Sequence, residues 1–213
     1  VGHAIVTELL PLADPVHKIS ILPRGMALGY TMQLPLSDKY LTTKSELLDD
    51  IAGLLGGRAA ERIVFGEVTT GANSDLDRAT EIARSMVCEF GMSDELGNVT
   101  LGKRHGNPFL GRDIMEDRNY SEEVAESIDR EVKKIIDDSY ARAEQLLTDN
   151  RELMTRVADE LLERETLDRN EFAALIRGSK PEAPEKPDSG DTTVVDASHP
   201  EAPGSSKLEP GLA

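Results

Sequence analysis

The sequence has no tryptophan and only four tyrosines and four phenylalanines in 213 residues, so any core it builds rests on Leu, Ile, Val, Ala and Met. It has one cysteine, Cys88. That excludes an internal disulfide framework and suits a reducing compartment. Set in an apolar helical run, the thiol reads as a small buried hydrophobe and not as a nucleophile. Positive charge is in deficit: 24 Lys and Arg stand against 40 Asp and Glu, a formal net charge of -16. A surface of that sign repels phosphate, which argues against nucleic-acid binding and against docking on anionic lipid. No apolar run approaches the roughly 20 residues of a membrane-spanning helix. No signal peptide is visible either, although a span before Val1 stays open.

What is present is ordinary for a partly helical protein, with 38% hydrophobic and 30% charged residues, enough for one sizeable domain or two small ones. Val1 to Leu10 reads as a helix closed by Pro11. Val16 to Leu22 and Leu28 to Leu34 read as strands flanking a Pro-Arg-Gly turn. Thr43 with Glu46 forms a capping box that opens a helix running to about Phe65, with Gly66 beyond its end. Inside that helix stand Gly56 and Gly57, whose cost in helix propensity points to the close approach of another backbone.

A third helix carries Leu76, Ala79, Ile82, Ala83, Met86, Val87 and Phe90 inward, with Asn73 or Ser74 as its cap and Gly91 as its stop. Leu101 to Arg118 reads as an irregular loop. A long helix follows from about Tyr120 with Val124, Ile128, Val132 and Leu147 on one face, broken at Asp149-Asn150. The next carries Leu153, Val157, Leu161 and Leu162, and Asp168 with Glu171 caps a last short helix ended by Gly178. From Ser179 to Ala213 the composition becomes that of a disordered acidic, Pro-rich tail. The expected fold is mainly α with a small β element.

Four histidines are present. His199 and His105 read as surface residues, in the tail and the irregular loop, and His17 as structural, in the first strand. His3 stands on a helix in Gly2-His3-Ala4, the end of what an H-E-x-G-H zinc helix would leave if its first two residues were removed. Alone this is a weak signal. It gains weight from several blocks in one order: Ile21-Leu22-Pro23-Arg24-Gly25-Met26-Ala27-Leu28-Gly29-Tyr30-Thr31, Leu55-Gly56-Gly57-Arg58-Ala59-Ala60-Glu61, and Phe65-Gly66-Glu67-Val68-Thr69-Thr70-Gly71-Ala72-Asn73-Ser74-Asp75-Leu76. These resemble the peptidase domain of FtsH-type ATP-dependent zinc metalloproteases, closely to about Leu101 and loosely to about Gly178.

The resemblance implies a helical, hexamer-forming zinc peptidase domain over residues 1–178, with residues 179–213 as the tail. It implies that His3 and Asp75 are Zn2+ ligands, and that Gly29, Tyr30, Thr31 and Met32 belong to an edge strand that holds an extended protein substrate. Asp75 has a plainer reading as a carboxylate that stabilises a helix start, and the strand a plainer reading as part of the core. Glu61 reads as an exposed or supporting carboxylate and not as a ligand. Ser74 stands where the family often has Asn, so the surroundings of Asp75 are expected to differ.

The family's first motif His and its general-base Glu would precede Val1. The 213 residues are therefore read as a fragment, expected to lack peptidase activity by themselves, with no catalytic base of their own. The parent is expected to be bacterial, anchored by N-terminal spans with this part at the cytoplasmic face of the inner membrane. It would use ATP and Mg2+ through a separate ATPase module and degrade membrane and unfolded cytoplasmic proteins as a homo-hexamer. The alternatives are a non-enzymatic helical oligomerisation module and a pseudoprotease that has lost its metal.

Overall fold

In the computed structural model, residues 1–23, 29–34, 40–104, 116–117 and 119–179 are described. The tail from residue 180, His199 and His105 lie outside them. The short helix α1 (Gly2–Leu9) leads into β1 (Val16–Ser20) and β2 (Tyr30–Gln33), then α2 (Lys44–Phe65), a 3-10 turn (Thr70–Ala72) and α3 (Asn73–Cys88). After the two-residue strands β3 (Lys103–Arg104) and β4 (Glu116–Asp117) come α4 (Glu122–Asp149), α5 (Arg151–Arg164), β5 (Thr166–Asp168) and α6 (Arg169–Ile176). The mainly helical fold with a small sheet agrees with the sequence reading.

Helix α2 is the element around which the rest is arranged. Its start is fixed by Thr43, whose side chain accepts from the Glu46 amide while the Glu46 carboxylate accepts from the Thr43 amide. Its end is fixed by Gly66 at φ 72, a left-handed conformation open to glycine without strain. Two apolar clusters form on its two sides. Ala52 and Ala59 join the cluster of α1, β1, α5 and α6, centred on Ile5, Val6, Leu161 and Phe172. Ile51 and Leu55 join the cluster of α3 and α4, centred on Met86, Val87 and Ile128. The helix thereby holds α1 and α3 at a fixed separation, one on each flank.

Helix α1 is buried over most of its surface, with Ala4, Ile5 and Val6 fully covered. It can lie so close to α2 because both carry glycine where they cross. A Cβ on Gly2 would stand 2.3 Å from the Gly56 carbonyl oxygen, and one on Gly56 3.0 Å from that of Gly2. The expected compensation for glycines inside α2 is this contact.

The sheet has the order β2-β1-β5, with both pairings antiparallel. Among the described residues β2 is thus an edge strand. Ile19 pairs with Thr31 on one side and Leu167 on the other, and the β1–β2 register is irregular between Val16 and Lys18.

Several expectations are corrected. His17 is exposed, because it sits at that irregularity and turns away from the core. Phe90 is 53% exposed; α3 ends at Cys88, and two residues later the helical period no longer applies. Leu162 is 74% exposed, since Leu153, Val157 and Leu161 already fill the inward stripe and the next residue is turned about 100° from it. Thr166–Asp168 forms the strand β5, for which the sequence reading has no element beyond the cap at Asp168, and β3 pairs with β4 inside the segment expected to be an irregular loop. Cys88 is buried, as expected.

Candidate metal centre

The imidazole of His3 lies in a shallow groove on α2. Gly53 and Gly57, four residues apart, share the helix face that receives it. At one end the ring's Nδ1 meets the Gly53 carbonyl oxygen at 3.0 Å. A carbonyl can only accept, so Nδ1 carries the proton and donates. At the other end the ring occupies the space a side chain on Gly57 would fill: a Cβ there would be 2.2 Å from Nε2. The groove therefore fixes the orientation of the ring and, for a neutral imidazole, the tautomer that leaves Nε2 with a lone pair.

That lone pair faces Asp75. The distance from His3 Nε2 to Asp75 Oδ2 is 3.5 Å, and both side chains are 32% exposed. Asp75 stands in the first turn of α3, where the helix dipole favours a carboxylate. Neither Asn73 nor Ser74 caps that helix, contrary to the sequence reading. The cap position is Ala72, with no side-chain bond, while the Asn73 side chain donates to Asp77 at 3.1 Å and Ser74 is exposed.

The turn before α3 is instead held from α2 by Glu61. Its carboxylate accepts from the Thr69 hydroxyl at 2.7 Å and the Thr69 amide at 3.3 Å. The Thr69 oxygen in turn accepts from the Gly71 amide at 3.2 Å. These Thr69 bonds, the hydroxyl's above all, lower the Glu61 carboxyl below its ordinary value, with smaller help from Arg58 and His3. A depressed carboxylate contributes above its unfolded value and loses that contribution as pH falls through its folded one. Amide exchange at Thr69 and Gly71, corrected for the intrinsic rate, is therefore expected to stay slow through the range where carboxylates ordinarily titrate. It should rise only at still lower pH, and in Glu61→Ala it should be fast throughout.

The donor set fits a zinc ion. A neutral imidazole nitrogen and a carboxylate oxygen are both zinc ligands, and at bond lengths of about 2.1 Å in a tetrahedral arrangement two such atoms stand about 3.4 Å apart. Two acceptor atoms at the observed spacing repel each other unless a cation or a proton lies between them. Among the described residues no group of three His, Cys, Asp or Glu comes together, so these two side chains alone do not make up a three-ligand metal site.

The pair opens onto a cleft of about 660 Å³. Gly29, Tyr30 and Thr31 line the cleft with His3 and Asp75, as do Arg78 and Ile82 further along α3. Met32, expected with them, does not line it. Gln33 and Thr7 do line it, and neither was singled out from sequence; an edge-strand glutamine has no signal apart from its place beside the Gly-Tyr-Thr block.

Residues 1–175 match peptidase family M41. The chain is 58% identical over 178 residues to the ATP-dependent zinc metalloprotease FtsH of Pseudothermotoga lettingae, covering 83% of this chain and 28% of that protein. It is 52% identical over 176 residues to the protein of the same name from Thermotoga maritima, covering 82% and 29%. With the one from Acidobacterium capsulatum it shares 50% identity over 194 residues, covering 91% and 30%. The chain thus spans less than a third of the length of these relatives.

Proposed function

Because the chain belongs to peptidase family M41, we propose that it serves as the peptidase domain of an ATP-dependent zinc metalloendopeptidase, with His3 and Asp75 as two of the zinc ligands. One observation carries the reading: a histidine and an aspartate 72 positions apart in sequence meet at 3.5 Å at the wall of the cleft that the edge strand also lines. When bound, zinc would act as a Lewis acid on a peptide carbonyl. The chain's own residues set the positions of the two ligands. Gly53 holds the His3 ring so that Nε2 and not Nδ1 is offered. Helix α3, tied down through Glu61 and Thr69, brings Asp75 to the same point.

β2 would bind the substrate. An edge strand has backbone N–H and C=O groups without a partner strand on its outer side, and an extended polypeptide can pair with them regardless of its sequence. Gly29, Tyr30 and Thr31 place that edge in the same cleft as the metal pair; Met32 continues the strand. We assign the peptidase domain to residues 1–178 and the tail to 179–213.

The ATPase module, the remaining zinc ligand and general base, the membrane anchorage at the cytoplasmic face and the six-membered ring belong to the longer protein in which the chain is proposed to work. So do its substrates, membrane and unfolded cytoplasmic proteins. Among the described residues no helix is long and apolar enough to cross a membrane.

The test is zinc content and peptidase activity of the full-length protein. One zinc per chain is expected, with hydrolysis of an unfolded polypeptide. Asp75→Asn keeps the shape but replaces the anionic ligand, and should weaken zinc binding by more than about a hundredfold, beyond the roughly ten- to hundredfold that supporting residues around a metal contribute. Undiminished zinc in that variant would remove Asp75 from the site. A wild type without zinc would leave a pseudoprotease or a purely structural helical module.

A further inference from the structure

The reading of β2 as the substrate strand raises a question that backbone pairing leaves open: what fixes the distance between that strand and the metal pair. Among the described residues β2 pairs with one neighbour, β1, and the pairing is irregular at the end where Gln33 lies opposite Val16. A short edge strand held in this way can tilt toward or away from the helices beneath it.

We infer that Gln33 and Thr7 form a latch that sets this distance, and that both are positioning residues for peptide hydrolysis. The inference rests on the proposed function above. The Gln33 side-chain amide donates to the Thr7 hydroxyl oxygen at 3.0 Å. Thr7 is 2% exposed, so its hydroxyl is fixed by the core, whereas Gln33 reaches it from an exposed strand.

Thr7 lies four residues after His3 on α1, on the same helix face. Gly53 of α2 touches both. Its carbonyl accepts from His3, and a Cβ on it would come within 2.9 Å of the Thr7 hydroxyl oxygen. One turn of α1, seated on one residue of α2, thus carries the metal ligand at one end and the anchor of the substrate strand at the other. A polypeptide added to β2 inherits the position of that strand, and a displacement on the order of 1 Å is enough to spoil an attack geometry.

A single neutral hydrogen bond of this kind shifts an equilibrium by roughly three- to tenfold, and the test reads that factor. The substrate is an unstructured peptide, cleaved by the full-length protein in single turnover at saturating enzyme, which bypasses unfolding and translocation. Thr7→Val keeps the shape and removes the hydroxyl; Gln33→Met keeps the length and removes the donor. Each is expected to slow cleavage roughly three- to tenfold, with zinc content and the half-saturating concentration unchanged. The double variant should be no slower than either single one, and Thr7→Ser should cleave at the wild-type rate.

Additive losses, or a wild-type rate in Gln33→Met, would overturn the latch. Gln33 is exposed, so that variant keeps its fold even if Thr7→Val does not. Amide exchange at residues 30–33 reads the latch without any catalysis. It should quicken in Gln33→Met even if the wild type held no zinc and the proposed function failed, and unchanged exchange there would overturn the latch alone.

Discussion

Replacing Gly57 by alanine is expected to strip the protein of its zinc while leaving its fold intact or slightly more stable. The added methyl carbon would fall 2.2 Å from Nε2 of His3 and 2.6 Å from Cε1, well inside any allowed contact. Something must move, and the His3 ring is the part that can. It is partly exposed, it hangs on two rotatable bonds, and its hydrogen bond to Gly53 is worth about 1 kcal/mol.

Exchanging an interior helical glycine for alanine returns about 1 kcal/mol of helix propensity. The two terms are of similar size, so the melting temperature should stay within a few degrees of wild type. The ring, however, can no longer present Nε2 to Asp75. Zinc content and peptidase activity should fall together to background, with the helical circular dichroism unchanged. Stoichiometric zinc in Gly57→Ala would mean that His3 does not use this groove, and the assignment of His3 as a ligand would go with it.

The two glycines separate what is legible in the sequence from what is not. The paired glycines announced a close approach, because their cost in a helix demands a compensating contact. Which backbone approaches, and that Gly56 receives a helix while Gly57 receives an imidazole, depends on the rotation of α1 against α2, and no spacing encodes that. The capping boxes at Thr43–Glu46 and Asp168–Glu171 were readable because all their partners lie within four residues of one another. β5 was missed for the converse reason: Thr166–Asp168 is too short to show alternation, and its last residue doubles as the helix cap.

The pairing of His3 with Asp75 came from family resemblance and not from pattern, since nothing local links positions on opposite flanks of α2. The supports of the site were the least visible. The Gly53 carbonyl that orients His3 is backbone, present at every residue. Glu61 could be seen as a supporting carboxylate, but not that it works through Thr69.

Gly2→Ala should behave in the opposite way and cost stability first. Its Cβ would stand 2.3 Å from the Gly56 carbonyl oxygen and 2.6 Å from the Ala60 Cβ, atoms of a helix and its first side-chain carbon that no rotamer change can displace. α1 would have to move away from α2, and it has nowhere to go, because Ala4, Ile5 and Val6 are already fully buried against other elements. Overpacking of this kind costs about 3 kcal/mol at its upper end, against at most about 1 kcal/mol regained from helix propensity. A net loss of about 2 kcal/mol lowers the melting temperature by roughly 4–8 °C in a domain of this size. The same movement stretches the His3–Gly53 bond, so zinc affinity should weaken in proportion and not vanish, in contrast to Gly57→Ala. A Gly2→Ala protein that melts with the wild type would show that the two helices do not approach as closely as the groove requires, and the geometry that delivers His3 to Asp75 would lose its foundation.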